Sequence, residues 1–129
     1  MHDCFYGAGI QAGDPQARIL LHDVENEDHR QLPTERFSKA ELDLSRLFLV
    51  PVQPHHRLLA LYKLSDVVLD SYKAGGCTTT RETLEMGQPV VTLPAEMLGS
   101  RWTKAIYDRI GLPELVSKTK EDYVSHAIR

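Results

Sequence analysis

Apolar blocks alternate with amphipathic stretches along the chain. Arg18-Ile19-Leu20-Leu21-His22-Asp23 reads as a short buried strand running out into polar residues. Residues 24–33 (VENEDHRQLP) are polar and read as loop, and Pro33 then opens a helix over Thr34 to Leu42. Leu47-Phe48-Leu49-Val50 is a second strand, stopped by Pro51. Pro54 precedes a helix from His55 to Leu64, whose Leu58, Leu59, Leu61 and Tyr62 recur at helical spacing. Val67-Val68-Leu69-Asp70 is a third strand, apolar as a strand buried on both faces should be.

A glycine-containing loop then leads into a helix from Thr78 to Met86, which Gly87 ends. Val90-Val91-Thr92-Leu93 is a fourth strand, closed by Pro94. A helix from Arg101 to Ile110 stops at Gly111. Thr119 caps a last helix that carries Glu121 and Asp122 in its first turn and reaches Ile128. Strand–helix–strand repetition with short links predicts an α/β fold, a Rossmann-like parallel sheet flanked by helices. Residues 1–17 show no periodicity and read as an irregular N-terminal segment; residues 18–129 read as one Rossmann-like domain. These strands are fewer than a doubly wound sheet usually holds. Either a further strand lies within residues 1–12, or the chain is a piece of a larger domain.

Composition narrows the function classes. The 129 residues are 42% hydrophobic and 26% charged, the balance of an ordinary globular chain. A formal charge of −3 without a basic run argues against nucleic-acid binding, which needs clustered Lys and Arg against phosphates. Apolar runs fall far short of the ~20 residues that span a bilayer, so no membrane partner is expected. The N-terminus MHDCFYGAGI lacks the order of a signal peptide, and Cys4 and Cys77 make no disulfide framework. A reducing, cytoplasmic setting is the expectation.

Candidate chemistry concentrates where the third strand ends. Asp70 to Glu82 reads DSYKAGGCTTTRE. Gly75 and Gly76 allow close backbone approach and positive φ. Thr78, Thr79 and Thr80 open a helix whose free N–H groups and dipole attract an anion, with hydroxyls as added donors. Glu82, one turn further in, suits a pair of vicinal hydroxyls such as a ribose presents. A nucleotide diphosphate fits this pattern. A plain loop with an N-cap, and Glu82 as a capping-box carboxylate, fits it as well. The lysine of a P-loop is missing, and Cys77 stands too close to Arg81 for a phosphatase loop. In the loop before the second helix, His55 and His56 project about 100° apart and no further ligand stands at metal spacing. No metal is expected; a histidine here could stack on a base or neutralise a phosphate.

The string SDVVLDSYKAGGCTTTRETLEMGQPVVTLP, followed by LGSRW and IGLPELVSKTKEDYV, resembles the C-terminal catalytic lobe of the O-linked N-acetylglucosamine transferase family, which includes the related plant O-fucosyltransferases. The resemblance covers about residues 46–126 and, more weakly, 15–45. It implies part of the C-terminal lobe of a GT-B glycosyltransferase, the lobe that holds the nucleotide sugar, usually UDP-GlcNAc. It implies that Thr78 and Thr79 hold the diphosphate, with Cys77 where animal members have a histidine. It also implies that Glu82 holds the ribose, where those members have Asp, and that Gln53 and His55 belong to the base-contacting loop. His55 stands where animal members have a lysine, and Leu58 where they have a histidine.

The family's N-terminal lobe and its proposed base are not in this sequence, so no catalytic residue is assigned. The family's lysine that neutralises the leaving diphosphate is not evident either. The reaction implied for the intact protein is inverting sugar transfer from a nucleotide diphosphate to a Ser or Thr hydroxyl, without metal or cofactor. The partners are a nucleotide sugar and a protein or peptide acceptor. The alternatives are a nucleotide-binding module inactive without the missing lobe, or a GT-B enzyme with another acceptor.

Overall fold

A computed structural model of the protein describes residues 9–21, 27–72 and 75–129. The chain divides into two compact units, residues 1–54 with Ile128, and residues 55–127 with Arg129. Among the described residues no helix is long and apolar enough to cross a membrane.

In the first unit, β1 (Ile19–Leu21) pairs in parallel with β2 (Leu47–Leu49), Ile19 opposite Leu47 and Leu21 opposite Leu49. Helix α1 (Glu27–Lys39) connects them. Successive strand residues face opposite sides. Ile19, Leu21 and Leu47 therefore pack on buried Phe37 and Leu42, while Leu20 and Phe48 face outward. The loop expected over residues 24–33 gives way to helix from Glu27 onward; residues 24–26 lie outside those described. Glu, Gln, Arg and Leu in this stretch are all good helix formers. Pro33 sits inside the helix rather than at its start, and leaves one i to i−4 hydrogen bond unmade.

The helix also ends earlier than Leu42. The Leu42 N–H reaches the Phe37 carbonyl at 3.1 Å and the Glu41 N–H reaches that of Ser38 at 3.0 Å, with Glu41 left-handed at φ 59°. This is a Schellman closure, with Leu42 folded back on Phe37. Within the N-terminal segment read as irregular, residues 9–13 are helical, and Gln11 is buried with its side-chain amide on both backbone groups of Asp43 (2.8 and 3.2 Å).

In the second unit, β3 (Val68–Leu69) pairs in parallel with β4 (Val90–Val91), and Thr92 makes a parallel bridge to Val116. Around them run α2 (His55–Leu64), α3 (Thr78–Glu85), α4 (Trp102–Ile110) and α5 (Lys120–Ile128). The character expected of the third strand belongs to the fourth. Val90, Val91, Thr92 and Leu93 are all buried, whereas Leu69 is exposed. The reason is that β4 and its continuation are hydrogen-bonded on both edges, to β3 and to residues 115–117.

Tyr107 of α4 locks onto β4. Its hydroxyl accepts from Val90 N–H (2.9 Å) and donates to Val90 O (2.6 Å). Tyr123 of α5 donates to the backbone oxygen of Asp70 at 2.9 Å. Gly87 and Gly111, at φ 81° and 75°, close α3 and α4 in the left-handed conformation that favours glycine. Thr119 caps α5 as expected, accepting from Asp122 N–H at 3.1 Å.

Candidate functional site

The site begins at the carboxyl end of β3, where ligands collect in α/β sheets. Asp70 is buried there, 6% exposed. Its Oδ1 accepts the Gly76 N–H at 2.7 Å and its Oδ2 accepts from Thr92 Oγ1 at 2.8 Å. The Gly76 carbonyl accepts from Thr80 Oγ1 (3.2 Å) and Thr103 Oγ1 (3.3 Å), two hydroxyls that also lie 2.8 Å apart. The Gly75 N–H donates to the Gly99 carbonyl at 2.9 Å. The loop entering α3 is thus held from β3, α3, α4 and the turn at Leu98–Ser100. Lys73 and Ala74 of this loop lie outside the described residues.

The two glycines serve a different purpose from the one the sequence suggested. Among the described residues the glycines with positive φ are Gly87 and Gly111, so Gly75 and Gly76 need no left-handed backbone. They are needed for close internal approach. A Cβ on Gly75 would come within 2.9 Å of both Asp70 carboxylate oxygens, and one on Gly76 within 3.2 Å of Thr80 Oγ1.

The three threonines also divide. Cys77 is the N-cap of α3, exposed and with a free thiol that makes no capping hydrogen bond. Thr78 is exposed and Thr79 half-buried at the helix start. Their N–H groups have no acceptor within the helix, by the geometry of a helix terminus. Thr80 is buried, and its hydroxyl already serves Gly76 and Thr103. Three hydroxyl donors for one anion are therefore reduced to two.

Glu82 lies five residues past the N-cap, with Thr80 at the capping-box position. The capping-box reading is therefore not the one observed. The Glu82 side chain is only 16% exposed, and its Oε1 faces His55 Nε2 of α2 at 3.5 Å. The structure brings Cys77, Thr78, Thr79, Glu82 and His55 together within the second unit. Gln53 belongs to the first unit, where its amide donates to the Pro51 carbonyl at 3.0 Å. His56 is exposed. Among the described residues no group of three or more His, Cys, Asp or Glu is placed to hold a metal ion.

Asp70 and Thr103 were not singled out from sequence as site residues. A signal existed for Asp70: a carboxylate at a strand end, ahead of a Gly-Gly loop, readily accepts a nearby backbone N–H. Thr103, on a helix distant in sequence, carried none.

Residues 24–129 match Glycosyl transferase family 41. A UDP-N-acetylglucosamine--peptide N-acetylglucosaminyltransferase of Caenorhabditis elegans is 37% identical over 112 residues, which is 86% of this chain and 9% of that protein. A probable UDP-N-acetylglucosamine--peptide N-acetylglucosaminyltransferase SPINDLY of Hordeum vulgare is 35% identical over 88 residues, 67% of this chain and 9% of that protein. In three dimensions a mutant Thermobaculum terrenum O-GlcNAc transferase superposes with a TM-score of 0.91 at 34% identity, over 99% of this chain and 25% of that one. The chain spans about a tenth of the length of these curated relatives. Its architecture is the α/β, Rossmann-like one expected for part of the C-terminal lobe of a GT-B protein. By this agreement of sequence and fold, the chain belongs to glycosyl transferase family 41.

Proposed function

We propose that this chain is the donor-binding part of a glycosyltransferase that moves a sugar from a nucleotide diphosphate sugar to a protein Ser or Thr hydroxyl. UDP-GlcNAc is the first candidate donor, because the similar proteins of Caenorhabditis elegans and Hordeum vulgare are named for it. The observation that carries the reading is the placement of Glu82. It stands one turn inside α3, away from the capping position, partly sheltered and facing His55, beside a helix start with uncommitted N–H groups.

In this reading the N–H groups at Thr78 and Thr79 and their hydroxyls hold the diphosphate, helped by the helix dipole. Cys77 contributes backbone rather than its thiol. Glu82 accepts from the two ribose hydroxyls. His55 lies toward the base, and Gln53 lines the same base-binding loop. In the transfer itself, the bond from the sugar anomeric carbon to the diphosphate oxygen breaks as the acceptor hydroxyl oxygen bonds to that carbon. The hydroxyl proton passes to a base, and the nucleotide diphosphate leaves with the bonding electrons. The N–H groups and hydroxyls of Thr78 and Thr79 hydrogen-bond the leaving diphosphate as its charge develops, which lowers the barrier electrostatically. The reading assigns no base, metal or cofactor to this chain. It places the protein in the cytoplasm, with no nucleic-acid or membrane partner.

The test is an amide NMR titration of the chain with UDP, UDP-GlcNAc and uridine. UDP and UDP-GlcNAc should shift the amides of Thr78, Thr79 and Glu82, and uridine should bind more weakly. Amides at Thr78 and Thr79 that stay put at saturating UDP would sink the proposal.

A further inference from the structure

We propose that Asp70 is a positioning residue for the anion site, presetting Gly76 before α3 through its N–H. The inference rests on the nucleotide reading of the site and goes beyond it, because Asp70 is buried and does not reach the helix start with its own charge exposed. A carboxylate at the base of an anion site is unfavourable for the anion on electrostatic grounds. Its presence therefore needs another explanation, and the geometry supplies one.

Both Asp70 oxygens are engaged, one on the Gly76 N–H at 2.7 Å and the other on the Thr92 hydroxyl at 2.8 Å. Thr92 directly continues β4 and is itself buried, so the carboxylate is anchored to the core. The opposite side of the same glycine is gripped as well, its carbonyl taking hydroxyls from Thr80 and Thr103. The Gly76 residue, immediately before the N-cap, therefore has both its N–H and its C=O fixed without any ligand. Gly75 passes so close beneath that a Cβ would collide with the carboxylate. A Gly76 held in place in advance spares the ligand the entropy of ordering it.

The experiment compares the intact chain with Asp70→Ala, Asp70→Asn, Thr103→Val and Tyr107→Phe, using UDP as probe and amide NMR as readout. Asn can still present an oxygen to the Gly76 N–H, and it removes the opposing charge. Asp70→Asn should therefore bind UDP at least as tightly as the unmodified chain. Asp70→Ala should bind about tenfold more weakly, the factor that corresponds to reordering roughly one residue of backbone. The Gly76 amide proton, shifted downfield by its carboxylate partner, should move upfield in Asp70→Ala before any UDP is added. Thr103→Val, which loosens only the carbonyl side, should weaken UDP by a smaller factor and keeps the test available if Asp70→Ala fails to fold. Tyr107→Phe loses core hydrogen bonds to Val90 and none to Gly75 or Gly76; it should lower the melting temperature and leave UDP affinity unchanged.

A folded Asp70→Ala that binds UDP as the unmodified chain does would overturn the positioning role alone. So would an Asp70→Asn as weak as Asp70→Ala. If Asp70→Ala does not fold, unchanged UDP affinity in Thr103→Val overturns it. No UDP binding by the unmodified chain would instead remove the nucleotide reading, and the positioning role with it.

Discussion

His55 Nε2 stands 3.5 Å from Glu82 Oε1, so that α2 and α3 each contribute one side chain to a single polar corner. His55 is largely exposed and Glu82 largely covered. If Glu82 holds a ribose, removing the ribose hydroxyls and removing the carboxylate charge must not add. Glu82→Gln should weaken UDP and UDP-sugar by similar factors while the melting temperature without ligand barely moves. A 2′,3′-dideoxy analogue of UDP should lose affinity for the unmodified chain and not for the variant. Equal penalties in both proteins, read by calorimetry or NMR, would exclude the ribose role.

The division among the threonines predicts different leading effects from similar substitutions. Thr78→Val with Thr79→Val should weaken UDP by ~1–3 kcal/mol, the range for hydrogen bonds to a charged group, with little change in stability. Thr80→Val leaves the buried Thr103 hydroxyl and Gly76 carbonyl short of a partner. It should lower unfolding free energy by ~1–3 kcal/mol. Denaturant unfolding and UDP titration on both variants separate the two effects.

Tyr107 predicts an alkaline limit. Burial raises its pKa above the ordinary value of 10.0; the Val90 backbone hydrogen bond opposes this and the Asp70 charge adds to it. The native state then keeps a proton that the unfolded chain releases. The stability from this group is complete below about pH 10 and is lost as pH rises toward the folded value. Tyr107→Phe should be less stable at neutral pH and show a shallower loss of stability on the alkaline side. An unchanged alkaline slope in the variant would rule out this assignment.

Asp43 sets a smaller acid-side effect. Its side chain accepts from the Ser45 hydroxyl (2.6 Å) and N–H (3.0 Å) and from Arg46 Nε (3.1 Å), and these partners lower its pKa. A lowered folded value means the contribution is present above the ordinary value of 3.8 and is lost as pH falls through the folded one. Asp43→Asn should flatten the acid limb of the stability profile; because the group is exposed to solvent, salt should diminish the difference.

Glu41 is the described non-glycine residue with positive φ, at 59°, in the closure of α1. Left-handed backbone costs an ordinary L-residue roughly 1–2 kcal/mol, and glycine gives part of that back as unfolded-state entropy. Glu41→Gly should raise unfolding free energy by about 0.5–1 kcal/mol without touching the α3 site. A drop in denaturation midpoint would show that the Glu41 side chain contributes more than its backbone costs.

The sequence by itself determined most of the element order, because hydrophobic period and the glycine and proline stops are local properties of the chain. His55–Leu64 and the helices ending at Gly87 and Gly111 were legible in that way. It also marked Cys77 to Glu82 as a candidate place for an anion and a polyol, since a helix start and a carboxylate one turn on are legible from spacing. The tertiary structure decided what those residues have left to offer. It turned Thr80 inward to meet Thr103 and seated Asp70 against Thr92 and Gly76. It moved the fully buried strand from β3 to β4, where both edges are paired. It extended α1 back through Pro33, against the local signal for a start there. It also set Glu82 against His55, across 27 positions of sequence, rather than against the end of its own helix. Each of these outcomes depends on partners distant in sequence, and periodicity and spacing carry no information about which distant group will complete a hydrogen bond.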